Sequence, residues 1–278
     1  MGVLNSLGVR VFDGLADMFL AREQQIKVGY HLLCRGRGDG NGNPVTNGEN
    51  RLLHEVKERF HGREAVFFDV GANVGDWAIA AVENMDDLHL YAFEPASRTF
   101  SSLLVALKKC RREDAITPIP AALSDSDGEG NLYIAGELAG TNSLHLRDAG
   151  ALGLYQDEVE RIVVMRGDTF CNDRGIDRVD FLKIDTEGNE MAVLEGFGHL
   201  VEQGRIGLIQ FEYGGTWIDS RRFLADAFKL LGSGGYRIGK IHPTGIRYLE
   251  QYDPRDETFI YANYLAVRPD WVPLLYSI

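Results

Sequence analysis

Cysteine is scarce. Cys34, Cys110 and Cys171 are the three cysteines in 278 residues, and their spacing fits neither a metal knuckle nor a disulfide framework. A reducing, cytoplasmic setting is the expectation. Positive charge is also short: 29 lysines and arginines face 41 aspartates and glutamates, a formal net charge of −12. No basic cluster exceeds Lys108-Lys-Cys-Arg-Arg112, which reads as a helix end, where cations are favoured. No nucleic-acid partner is therefore expected. No apolar run approaches the roughly 20 residues of a transmembrane segment. The first stretch is interrupted by Arg10, Asp13 and Asp17, unlike a secretory leader. No internal repeat or low-complexity tract stands out.

What is present is a chain with an ordinary apolar fraction of 45%, enough for a sizeable core. Leu4, Leu7, Val11, Leu15, Met18 and Phe19 recur at helical spacing, predicting helix over residues 1–35. Residues 1–60 read as a helical extension, a lid or a segment for a homodimer, with a glycine-rich loop at 36–44 and a helix at 50–60. From Ala65 strand and helix alternate. Strands read near 65–70, 88–93, 116–121, 179–184, 206–211, 236–241 and 258–267, and helices near 75–84, 96–110, 189–201 and 219–232. The strands are mostly continuous apolar runs, as in a sheet covered on both faces. The fold expected over 61–278 is α/β, a Rossmann-like doubly wound sheet of seven mostly parallel strands with an antiparallel edge. Residues 124–165 break the alternation, with a short strand near 131–134. They read as an insertion facing the substrate.

Asp69-Val-Gly-Ala-Asn-Val-Gly75 lies between a strand and a helix, where a backbone wraps a nucleotide-like cofactor. Gly71 and Gly75 permit a tight turn, and Asn73 tolerates a left-handed backbone. A dinucleotide pattern counted from Gly71 would place Asp76 where a pyrophosphate belongs, and two anions repel. S-adenosylmethionine has no phosphate and meets no such conflict. Glu94 ends the second strand, where a carboxylate can accept both ribose hydroxyls. Ala122 and Ser124, after the third strand, suit an adenine ring.

The fourth and fifth strands end in Asp185 and Glu212. Either could act as general base toward a hydroxyl, Asp185 could instead hold the cofactor's ammonium group, and together they could hold Mg²⁺ against a substrate diol. Thr186-Glu-Gly-Asn-Glu190 reads equally as a helix cap, with Thr186 as N-cap. His242, opening the loop after the sixth strand, is the histidine best placed to be a base. A nicotinamide-dependent oxidoreductase and a non-catalytic cofactor-binding scaffold are the competing readings.

Taken in order, Asp69–Gly75, Ala92-Phe-Glu-Pro95 with Phe100 and Leu103, Ala122-Leu-Ser-Asp125, and Asp180–Glu190 with Val193-Leu-Glu-Gly196 resemble the motifs of FkbM-type methyltransferases. The likeness covers about residues 65–213. It implies a Rossmann-like, S-adenosylmethionine-dependent enzyme that methylates a hydroxyl of a sugar, glycan or natural-product small molecule. By the same resemblance Asp69, Gly71, Asn73 and Glu94 touch the cofactor, and Asp185 lies where the methionine tail and the acceptor meet.

Overall fold

The structure is a computed structural model and describes residues 17–18, 20–60, 62–135, 140–147, 156 and 158–270. Most of the helical pattern expected at the start, including Leu4, Leu7, Val11, Leu15 and Phe19, lies outside them. The chain divides between Asn41 and Gly42 into two units. In the first, helix α1 (Arg22–Arg37) stops at Gly38 in the left-handed region, φ 70°. Arg35 and Arg37 sit in its last turn, at the negative end of the helix dipole.

The second unit begins with a short helix α2 (Pro44–Asn47) and helix α3 (Glu49–Phe60). Strands and helices then alternate: β1 (Ala65–Val70), α4 (Asp76–Asn84), β2 (Leu88–Phe93), α5 (Ser97–Leu107) and β3 (Ile116–Ile119). The insertion supplies β4 (Ala122–Ser124), β5 (Gly128–Ile134) and β6 (Glu158–Arg166). Next come α6 (Gly167–Asp173), β7 (Val179–Ile184), α7 (Glu190–Gly196), α8 (Gly198–Glu202) and β8 (Ile206–Tyr213). The chain closes with α9 (Thr216–Asp219), α10 (Leu224–Ser233), β9 (Arg237–His242), β10 (Gly245–Tyr248) and β11 (Ala262–Val267).

Eight strands form the main sheet in the order β10-β9-β11-β8-β7-β1-β2-β3. The five strands β3, β2, β1, β7 and β8 run parallel, and β11 is antiparallel to both neighbours. That is the doubly wound sheet expected, with one strand more: β10 hairpins back from β9 at the edge. The last strand is shorter than 258–267. Phe259 takes a positive φ of 51° and its N–H binds the Tyr213 hydroxyl at 3.0 Å, which takes it out of the ladder. The helix expected over 189–201 is broken into α7 and α8 at Phe197.

Side chains alternate across the sheet, and β1 shows the result. Phe67 points into a core with Leu52, Ala78 and Leu103 from α3, α4 and α5. Its neighbour Phe68 points the other way, into a core with Phe170, Leu194 and Leu231. There it meets the rings of Phe170 and Phe197 edge-on at 5.7 and 5.8 Å, pairs worth about 0.5–1.5 kcal/mol each beyond burial. The insertion forms its own sheet in the order β4-β6-β5. Loop and strand together hang over the carboxyl ends of β1, β2 and β7, where open α/β sheets bind ligands.

Candidate active site

A cleft of about 290 Å³ opens at those strand ends, near the lower bound for small-molecule sites. At one end lie Gly71, Asn73, Glu94 and Ala122. Glu94 fixes the turn: its carboxylate accepts from Asn73 N at 3.0 Å and Ala96 N at 2.9 Å. A carboxylate has about four acceptor positions, so capacity remains for a ligand's hydroxyls. Burial pushes the Glu94 carboxyl up to about 7, against the pull of those two N–H groups. Asn73 has φ 49°, and its side-chain oxygen is buried without a partner among the described residues.

The glycines of the turn serve packing. Gly71 has φ 85°, and a Cβ there would lie 1.8 Å from the Asp185 carbonyl oxygen. Gly75, φ 94°, faces Leu103, which a Cβ would meet at 2.6 Å. It does not line the cleft. Asp69 is fully buried beneath the turn and does not line the cleft either. Its Oδ1 faces Lys183 Nζ at 3.5 Å, and the same nitrogen reaches Asp185 Oδ2 at 3.1 Å. Burial alone would lower the Lys183 ammonium's pKa, but Asp185 and Asp69 outweigh it and drive the value up.

The opposite end is acidic. Carboxylate oxygens of Asp185, Glu187 and Glu212 lie within 4.8 Å of one another. Burial, then the charges of Asp185 and Glu187, hold the Glu212 carboxyl well above its ordinary value. Glu187 sits at φ 56°. Arg147 from the insertion pins it, bonding its carboxylate at 2.7 Å and its carbonyl at 3.0 Å, while Ser143 Oγ donates to that carbonyl at 2.7 Å. Glu190 keeps the capping role: its carboxylate accepts from Thr186 N at 2.8 Å and Gly188 N at 3.0 Å. The N-cap of α7 is Asn189, so Thr186 is not the cap.

A model of the methyltransferase FkbM domain matches residues 69–238, more than half of the chain. The chain belongs to the FkbM methyltransferase family. Among curated relatives of this methyltransferase, the 31-O-demethyl-FK506 methyltransferase FkbM of Streptomyces tacrolimicus is 25% identical over 68% of this chain and 75% of its own length. The hexuronic acid methyltransferase AglP of Haloferax volcanii is 23% identical over 63% of this chain and 66% of its own. The AMB antimetabolite synthetase AmbE of Pseudomonas aeruginosa is 26% identical over 75% of this chain, which spans 11% of that protein. Of solved structures, a precorrin-6y C5,15-methyltransferase from Geobacter metallireducens aligns at 13% identity over 79% of this chain and 88% of its own, with a TM-score of 0.44. At that score the likeness carries no weight, and the fold rests on the strand order above.

In this methyltransferase the cleft thus gathers Gly71, Asn73, Glu94, Ala122, Asp185 and Glu212. Ser124, at the end of β4, lines a neighbouring cavity instead. His242 ends β9, separated from β8 by β11, and does not line the cleft. Burial and the cations Lys240 and Arg247 lower its pKa, and its carbonyl accepts from Arg51 at 3.1 Å. Sequence reasoning passed over Asn142, Glu187 and Tyr261, which also line the cleft. Glu187 was visible but absorbed into the capping motif. Tyr261 was hidden inside a stretch read as strand. Among the described residues, no helix is long and apolar enough to cross a membrane.

Proposed function

We propose that this FkbM-family methyltransferase uses S-adenosylmethionine to methylate a hydroxyl of a small, uncharged acceptor such as a sugar, glycan or polyketide-like metabolite. The observation that carries the reading is the two-ended cleft: a glycine turn with Glu94 at one end, and Asp185 with Glu212 at the other. When bound, S-adenosylmethionine supplies a methyl group on a positively charged sulfur. The residues fit it. Glu94 keeps acceptor positions for ribose hydroxyls, the unpartnered Asn73 oxygen is a further acceptor, and Ala121, Ala122 and Leu123 give a small apolar wall. Asp69 would act from beneath, through Lys183.

At the acidic end the chemistry is positioning and proton removal. Glu212, with its raised pKa, is a strong base when ionised, and Asp185 is the second candidate. Their negative charge favours a cationic neighbour and disfavours an anionic acceptor. Calorimetry with S-adenosylmethionine and with NAD(H) tests the cofactor. Binding of NAD(H) alone would favour the oxidoreductase reading. Binding of S-adenosylmethionine without methyl transfer to any hydroxyl probe would favour a scaffold. Glu212→Gln and Asp185→Asn are each expected to leave cofactor affinity within about threefold. The variant lacking the base loses turnover by roughly 10²–10⁴-fold.

A second reading rests on the proximity of Asp185, Glu187 and Glu212, a set of oxygen ligands suited to Mg²⁺. Turnover undiminished by EDTA retires it.

A further inference from the structure

Where β8 and β11 meet, a group of polar side chains is buried within the sheet. Glu212 and Asn263 are register partners, so they stand on the same face. Gln210, two residues back on β8, shares it. The buried carboxylate of Glu49, at the start of α3, collects this face. It accepts from Asn47 Nδ2 at 2.6 Å, Gln210 Nε2 at 2.8 Å and Asn263 Nδ2 at 2.9 Å. Burying such groups costs free energy unless the network is satisfied, and here it ends in the cleft. Asn263 Nδ2 also lies 3.1 Å from the Tyr261 hydroxyl, and Tyr261 lines the cleft with Asp185 and Glu212.

The direction of these bonds follows from Glu49. The Asn263 amide must turn its nitrogen, not its oxygen, toward a carboxylate. That nitrogen has two protons: one goes to Glu49 and the other to Tyr261. The tyrosine oxygen therefore accepts from Asn263, and among the described residues no side chain or backbone group accepts its own proton.

We propose that Tyr261 is an acceptor-binding residue: its hydroxyl donates a hydrogen bond to a second oxygen of the acceptor, adjacent to the one that is methylated. The acceptor class is thereby narrowed to molecules with two neighbouring oxygens, such as vicinal diols of sugars. The bond goes to the neighbour because a proton donated to the attacking oxygen would draw off electron density and lower its nucleophilicity, whereas the adjacent oxygen can accept without that cost. The attacking hydroxyl gives its proton to the acidic end, and Tyr261 keeps its own. Burial and the negative charge of Glu212 raise the Tyr261 pKa, so the proton stays available for donation. Glu49 and Asn263 are positioning residues that aim it.

This inference rests on the O-methylation reading. Its test uses the full chain, S-adenosylmethionine, and two probe sets: methyl β-D-glucopyranoside with its single-deoxy analogues, and trans-1,2-cyclohexanediol with cyclohexanol. Wild type is expected to prefer the diol member of each set by about tenfold or more in kcat/KM. Tyr261→Phe is expected to lose about tenfold on the diols, nothing further on the analogue lacking the neighbouring oxygen, and no cofactor affinity by calorimetry. Asn263→Ala, which frees the tyrosine proton to turn, is expected to reproduce part of the loss. An active wild type whose diol preference survives intact in Tyr261→Phe overturns the inference and spares the O-methylation reading. A wild type that binds S-adenosylmethionine but methylates no probe in either set overturns both.

Discussion

Glu94 concentrates the residue-scale physics of the cofactor end. Its carboxylate both braces the turn and, on the reading above, holds the ligand. Glu94→Ala removes charge-assisted hydrogen bonds worth roughly 1.5–3 kcal/mol and is expected to weaken S-adenosylmethionine binding more than tenfold by calorimetry. Its position near 7 sets a pH signature with two opposite signs. Only the ionised carboxylate accepts from two ribose hydroxyls, so affinity is expected to rise as pH climbs through about 7. In Glu94→Gln that dependence flattens. Stability runs the other way. Between 4.5, the ordinary value, and about 7 the folded chain retains a proton that the unfolded chain has released. The stabilising contribution is complete below the lower value and is lost as pH rises through the upper one. Glu190, pushed to about 7 by burial, adds the same sign. Gly71 makes the complementary point about size. With φ at 85° and the Asp185 carbonyl in the way, Gly71→Ala is expected to cost about 2 kcal/mol or more, read as a lower melting temperature with or without ligand. A variant as stable as wild type would mean that the turn has room it does not show.

Between elements the decisive feature is a row of buried polar side chains through the sheet. Asp69 on β1, Lys183 on β7 and Gln210 on β8 are register partners, each almost fully buried. They couple the glycine turn to the acidic end through Lys183. Removing the cation alone leaves Asp69 buried against Asp185 and Glu49, so Lys183→Met is expected to destabilise by about 3–5 kcal/mol. Adding Asp69→Asn should restore part of it, because the orphaned charge is gone. Full additivity of the two substitutions, measured by denaturant unfolding, would show that the pair does not interact. The sequence displays why some of this was legible. The strand periods and the turn glycines of β1, β2, β7 and β8 depend on neighbours within about ten residues, and they were placed nearly to the residue. Asp185 and Glu94 followed because strand ends are where such sheets bind. Lys183 as a link, Arg147 on Glu187 and Tyr261 under Asn263 were not legible. Each depends on a partner that only the register or the insertion brings near. His242 shows the reverse: good chemistry on a strand whose order in the sheet carries it away.

At the scale of the whole molecule, every cleft-lining residue belongs to the unit that begins at Gly42. Gly42 itself is the first of them. That unit holds both faces of the sheet's core, including Leu52, Val56 and Phe60 from α3. Helix α3, which the sequence groups with the helical extension over 1–60, lies within this unit, its apolar face buried in the core. Residues 42–278 should then fold without residues 1–41, with a cooperative unfolding transition and an unchanged affinity for S-adenosylmethionine. Helix α1 carries Ile26, Tyr30 and Leu33 at helical spacing, each about half exposed or more, and apolar stripes of this kind cover partners in solution. If residues 1–41 serve a homodimer, light scattering will show full-length chain at twice the mass of the truncated one. Equal masses would assign the extension to some other task, and loss of cofactor binding on truncation would mean that the site is not complete within residues 42–278.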